Sequence, residues 1–272
     1  MTEAEKKKQQ YALVVKSNDL IRKNRFSLSL TEQRIVLYLI SKIKPQDTVL
    51  LEYDFNIKDF CEVCGIDYLN NLSQLKDIVK QLRDKSIWIT LPDGGETTVS
   101  WIEKPTLYRN SGTMKIKLDK DMMPYLIQLK ENFTSYELIA ILALKSKFSL
   151  RLYELFKSYE YLGEYQVSLE QLRKTLMLET EYPKTNDFKR YVIDKALDEI
   201  NTFTDLDVSY EVIKQGKTIV GFNFSIQRAE SFDGQYHATQ LYLEGVLPSR
   251  YKRDKRFKEY KKAAAEGDSN ES

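Results

Sequence analysis

The two cysteines of this chain stand as Cys61-x-x-Cys64, a spacing that suits a bound metal or a redox couple. A structural zinc site needs four ligands, and the chain supplies one histidine, His237, and no third cysteine. The pair also lies on a short apolar helical stretch, where cysteine behaves as a small hydrophobe; thiols in the core or partly exposed are the expectation. A Ser-His-Asp or Cys-His arrangement would hang on His237 in QYHATQ, a linker-like segment. A tyrosine nickase needs a His-hydrophobe-His metal motif, and a nucleotide hydrolase a GxxxxGK[ST] loop; neither occurs. The sequence predicts no enzyme, no cofactor and no metal.

What remains is the chemistry of recognition. Lys184, Asn186, Arg190, Tyr191, Asp194 and Lys195 crowd the N-terminal part of one amphipathic helix. Donors at that end of a helix suit the major groove of DNA: Arg190 for a guanine edge, Asp194 for a cytosine amine, Lys184 for a phosphate. Lys189 falls inside the apolar arc and is expected to snorkel from the edge of the core. Lys214 and Lys217 bracket a hairpin tip and suit phosphates. Lys76, Lys80 and Arg83 form a basic stripe on an earlier helix, spaced for backbone contacts. Taken singly, these are ordinary surface charges. The elements that carry them decide.

From Asn186 the spacing predicts a helix of about four and a half turns. Val192, Ile193, Ala196, Leu197, Ile200 and Phe203 share one arc; Arg190, Tyr191, Asp194, Lys195, Asp198 and Asn201 take the other. Two alternating strands follow around Lys214-Gln215-Gly216-Lys217, carrying Val208, Tyr210, Val212 and then Val220, Phe222, Phe224, Ile226. A helix with a polar outer face feeding a hairpin has the form of a recognition helix and wing. The same order occurs earlier. Residues 71 to 86 place Leu72, Leu75, Ile78, Val79 and Leu82 on one arc, and SIWITL and TTVSWI then flank Pro92-Asp93-Gly94-Gly95.

The preceding elements match as well. Thr31 is the expected cap of TEQRIVLYLISKI, followed by a strand over Val49 to Tyr53 and a helix over Asn56 to Cys64 closed by Gly65. In the second half Ser135 is the expected cap of the apolar helix SYELIAILALKSKF. SLRLYELFKSYEYL, a strand over Glu164 to Val167 and a Ser168-capped helix come next. The prediction is an α+β chain of two tandem winged-helix domains: a flexible arm over 1–10, a first domain over 11–132 and a second over 133–230. A basic extension and disordered tail occupy 231–272. Within that extension, residues 249 to 262 carry eight lysines and arginines against Asp254 and Glu259.

Bulk composition agrees with this plan without announcing it. The 272 residues suffice for two cores, and 42% hydrophobic with 30% charged residues is an ordinary folded balance. The net charge of +2 means that any basic surface must come from local clustering. No apolar run approaches the roughly 20 residues that span a bilayer, and MTEAEKKKQQ is not followed by the apolar core of a signal peptide. A cytoplasmic protein without a membrane partner is expected.

VVKSNDLI followed by LSLTEQRIVLYLISKI resembles the opening of plasmid replication initiators of the Rep_3 class. SLRLYELFKSY and FKRYVIDKALDEINTFTDLDVSYEVIKQGKTIVGFNFSI resemble that family's second domain, with Glu-Ile-Asn and then Thr-Asp-Leu before the strand as the specific feature. The resemblance covers roughly residues 11 to 228. It implies binding of double-stranded DNA at repeated origin sites, iterons, as a monomer, with opening of the origin. It further implies a host initiator and a replicative helicase as partners, and repression of its own promoter as a dimer formed through the first domain. Base reading then falls to Lys184, Asn186, Arg190, Tyr191, Asp194 and Lys195, with Lys76, Lys80 and Arg83 in support. A dedicated winged-helix repressor and, more remotely, an origin-nicking enzyme are the alternatives.

Overall fold

In a computed structural model, which describes residues 1–90, 94–108 and 112–229, the chain divides into two compact units. Met1–Leu138 with Thr175–Met177 form the first, and Ile139–Lys174 with the chain from Leu178 form the second.

The first unit opens with α1 (Glu3–Gln10), β1 (Leu13–Ser17), α2 (Asn18–Arg22) and α3 (Leu30–Ile40). Of residues 1–10, expected to be a flexible arm, Glu3–Gln10 form a helix. Thr2 and Glu5 close a reciprocal capping box, the terminal amine lies 3.3 Å from Asp59, and the buried Gln10 amide donates to the Val63 carbonyl at 3.0 Å. A charged segment hid these partners because they lie some fifty residues away. The cap of α3 is Ser29 rather than Thr31. The Ser-x-x-Glu spacing lets Ser29 Oγ accept from Glu32 N at 3.3 Å while Glu32 Oε2 accepts from Ser29 N at 2.7 Å.

Next come β2 (Glu52–Asn56), α4 (Ile57–Cys64) and α5 (Tyr68–Asp84). The strand expected over 49 to 53 begins three residues later, which buries Phe55 against Tyr38 and Phe60 and leaves Val49 and Leu51 exposed. Asn56 caps α4, and Gly65, at φ 63, turns the chain out of it. Helix α5 buries Leu75, Val79 and Leu82. The hairpin β3 (Ser86–Thr90) and β4 (Glu96–Ser100) pairs in the expected order, Ser86 opposite Ser100; Pro92 and Asp93 of its turn lie outside the described residues. Strands β5 (Thr106–Tyr108) and β6 (Thr113–Lys117) follow, then a 3-10 turn capped by Asp119, α6 (Met123–Leu126) and β7 (Phe133–Glu137). Ser135 is therefore no helix cap. It sits inside a strand whose Thr134 and Tyr136 are buried and which pairs with β1, so the boundary expected at 132/133 lies at 138/139.

The second unit has α7 (Ile139–Leu142), α8 (Lys147–Tyr159), β8 (Glu164–Ser168) and α9 (Leu169–Thr175). Helix α10 (Thr185–Phe188), a π-turn (Lys189–Asp194) and α11 (Lys195–Phe203) then run as one rod into β9 (Leu206–Gln215) and β10 (Thr218–Arg228). The three strands form one antiparallel sheet in the order β8-β10-β9. Strand β8 passes so close to β10 that a Cβ on Gly221 would stand 2.6 Å from the Val167 carbonyl oxygen. Phe156 and Phe224 meet at 4.8 Å in the core beneath this sheet. Both units are winged helices. The extension from 231, His237 and the basic run 249–262 lie outside the described residues.

Candidate nucleic-acid interface

The rod from Thr185 to Phe203 does not keep the uniform 100° step. Its π-turn takes about one extra residue, which rotates everything N-terminal to it by roughly 100° relative to a regular helix. That rotation corrects the placement of Lys189. A regular helix would drive Lys189 into the core; instead Phe188 fills that place, fully buried, and Lys189 is half-buried with Nζ 5.9 Å from the Tyr210 ring. Asn186 turns outward. Lys184, Asn186, Arg190, Tyr191 and Lys195 are all exposed, whereas Val192, Ile193, Ala196, Leu197, Ile200 and Phe203 are buried.

Asp194 is committed elsewhere in part. It is half-buried, and its Oδ1 accepts from the Tyr210 hydroxyl at 2.5 Å, tying the helix to the wing. Burial, and then this bond, push the Tyr210 phenol well above its usual range, so it stays a donor at any physiological pH. Lys214 and Lys217 stand exposed at the wing tip, where Gly216 supplies the left-handed turn residue at φ 60. Among the described residues none of Lys184, Lys195, Lys214 and Lys217 is held in an ion pair, so their charge is available to an anion.

Two supports were not legible in the spacing. The first is Arg173 on α9. Its guanidinium donates to the carbonyls of Leu178 at 3.2 Å, Glu181 at 2.8 Å and Tyr182 at 2.7 Å, and it lies 4.5 Å above the Phe188 ring. One side chain thus fixes the loop that delivers the rod, including Tyr182 in a left-handed conformation at φ 53. Nothing local in Gln171-Leu172-Arg173 signals it, because every acceptor lies five to nine residues further on.

The second support is the junction between rod and wing, where the Glu-Ile-Asn and Thr-Asp-Leu segments prove to be fasteners. Glu199, buried, accepts from the backbone of Lys145 and Ser146 at 2.9 and 3.2 Å, ahead of α8. Asn201 brackets Val208 of β9, donating to its carbonyl at 2.9 Å and accepting from its amide at 2.8 Å. Thr204 donates to the Ile200 carbonyl, ending the helix. Asp205, buried, accepts from the Tyr153 hydroxyl at 2.8 Å and pairs with Lys157, which also holds Glu160 at 2.6 Å. These residues set the angle between helix and wing. They do not face a ligand.

In the first unit, Lys76 is half-buried while Lys80 and Arg83 are exposed on α5. Cys61 and Cys64 are buried and free; burial pushes their thiols from 9.0 to about 11 and about 12, so both stay neutral. Among the described residues no group of three or more histidines, cysteines or carboxylates is placed to hold a metal, and no helix is long and apolar enough to cross a membrane.

The model of Initiator Replication protein, WH1, matches residues 13–157, and that of Initiator Rep protein, WH2, matches residues 168–226. A "Replication initiation protein" of Escherichia coli is 22% identical over 233 residues, spanning 81% of this chain and 71% of that protein. The "PI protein" of Escherichia coli is 29% identical over 133 residues, 42% of this chain and 44% of that protein. The crystal structure of Pi initiator protein in complex with iteron DNA shares the fold, with a TM-score of 0.69 at 22% identity over 81% of this chain and 99% of that one.

Proposed function

The chain belongs to the initiator replication protein family, matched by both of its winged-helix models, and from that premise we propose that it starts plasmid replication by binding iteron repeats in double-stranded origin DNA. The observation that carries this reading is the unpaired cationic face of the rod from Thr185 to Lys195, set beside a wing tipped by Lys214 and Lys217. On this reading Asn186, Arg190, Tyr191 and Lys195 face base edges; Lys184, Lys214 and Lys217 take phosphates. Asp194 offers only the oxygen that Tyr210 leaves open. Lys76, Lys80 and Arg83 of the first unit add backbone contacts.

The protein acts at iterons as a monomer, opens the origin, and hands it to the host initiator and the replicative helicase. As a dimer joined through the first unit it represses its own promoter. It works in the cytoplasm and catalyses no reaction of its own. A gel-shift titration of the full chain against the direct repeats beside its gene tests the reading. Strong preference over a scrambled duplex is expected, and equal affinity for both would sink it.

A further inference from the structure

Tyr191 is the one aromatic side chain on the polar face of the rod, and it is 50% exposed. It is held in place on two sides. The Arg190 guanidinium carbon lies 5.3 Å from its ring centroid, within cation–π range, and the Tyr182 ring lies 6.4 Å away at an interplanar angle of 34°. Tyr182 is itself fixed, because its carbonyl accepts from Arg173. The π-turn carries both Arg190 and Tyr191, and so presents the two neighbours as one unit: a planar fork of donors beside an aromatic ring.

That pairing has a natural complement in DNA. A guanidinium suits the O6 and N7 acceptors of guanine, and an apolar ring edge suits the 5-methyl group of thymine, which projects into the major groove. Two side chains in contact at 5.3 Å read neighbouring base pairs rather than distant ones. We infer that Tyr191 is a specificity-determining residue that reads the 5-methyl group of a thymine adjacent to the guanine contacted by Arg190. The inference rests on the DNA-reading function proposed above.

The test uses a duplex selected from random sequence by the full chain, at one fixed salt concentration. Each thymine is replaced in turn by deoxyuridine, which removes only the methyl group, and each guanine by 7-deazaguanine, which removes only N7. Deoxyuridine at one position lowers wild-type affinity about 3- to 5-fold, the value of one buried methyl group. Tyr191→Phe keeps that ratio, and Tyr191→Ala binds both duplexes alike. The sensitive thymine adjoins a guanine whose 7-deaza substitution costs wild type about tenfold and Arg190→Ala nothing further. Tyr191 is half exposed, so Tyr191→Phe retains the wild-type melting temperature and Tyr191→Ala still melts in a cooperative transition well above the assay temperature.

The inference is overturned if no thymine responds, if the response persists in Tyr191→Ala, or if it lies away from the Arg190-dependent guanine. In each of those cases the origin-binding reading stands. A selection that enriches no sequence at all overturns both.

Discussion

The two winged helices differ in how the wing is attached to the strand that precedes the helices. In the second unit β8 pairs directly with β10, so the short strand, the return strand and the wing share one sheet, and the rod is bonded to it through Tyr210 and Asn201. In the first unit the matching strand β2 pairs instead with β6, and β5 flanks β6 on its other side. Its hairpin β3–β4 is a separate two-stranded sheet; the chain just beyond β4 meets the end of β6 through the Ile102–Leu118 bridge and the Glu103 amide, which donates to the Lys117 carbonyl at 2.8 Å. The cations differ too. Those of the second unit gather at the N-terminal end of the rod, the part that the proposed function places in a groove. Lys80 and Arg83 lie toward the C-terminal end of α5, where a cation also complements the helix dipole. On the proposed function, this contrast assigns base reading to the second unit and backbone contacts to the first.

The sharpest way to break that contrast is at Gly221. Gly221→Val puts a branched side chain where even a Cβ meets the Val167 carbonyl at 2.6 Å. We expect about 4 kcal/mol or more of lost stability, read as loss of the second unit's transition in a thermal melt, with the first unit's transition unchanged. A wild-type melt in this variant would mean that β8 and β10 do not approach as described. Asp205→Ala comes next: it leaves Lys157, whose side chain is 11% exposed, with Glu160 alone, at a cost of about 3 kcal/mol in urea denaturation.

Binding variants sharpen the contrast in role. Arg190→Ala should cost about 1–3 kcal/mol and relax discrimination at one base pair, whereas Lys80→Ala should weaken every sequence alike and reduce the salt slope by about one. Equal, sequence-independent losses in both variants would remove the distinction drawn between the units. A smaller effect separates the units by pH. The thiols of Cys61 and Cys64 are raised in the folded state to about 11 and about 12, so an unfolded chain releases their protons first as pH rises. The stability they contribute is complete below pH about 9 and falls above it. Cys61→Ala/Cys64→Ala should flatten the alkaline decline of the first unit's transition and leave the second unit's unchanged. Tyr210→Phe, last, keeps the ring and removes one hydrogen bond, for about 1 kcal/mol in the second unit's melt.

Much of this architecture is legible in residue spacing, and where spacing failed the reasons are specific. The caps at Gly65 and Ser168, the turn at Gly216 and the apolar arcs of α5 and of the rod all depend on neighbours within a few residues. Thr31 lost to Ser29 because a capping box is reciprocal, and only Ser29 has a glutamate three residues on. Ser135 lost its helix because β1, more than a hundred residues earlier, offers it a partner strand. The repeat of pattern foretold two winged helices, but not that β6 pairs with β2 and β5 and leaves the hairpin β3–β4 as a sheet of its own.

Periodicity and motif spacing are local properties of the chain, and they suffice for the family, for the two helix-and-hairpin repeats, and for the helix that carries the cationic face. Only the tertiary structure decided how that face is phased. The π-turn exists where Phe188 stacks under Arg173 and Tyr210 holds Asp194, and these contacts span fifteen or sixteen residues. A uniform helical step cannot anticipate an extra residue set by packing at such range. That residue removes Lys189 from the core, turns Asn186 outward, and presents Arg190 and Tyr191 side by side.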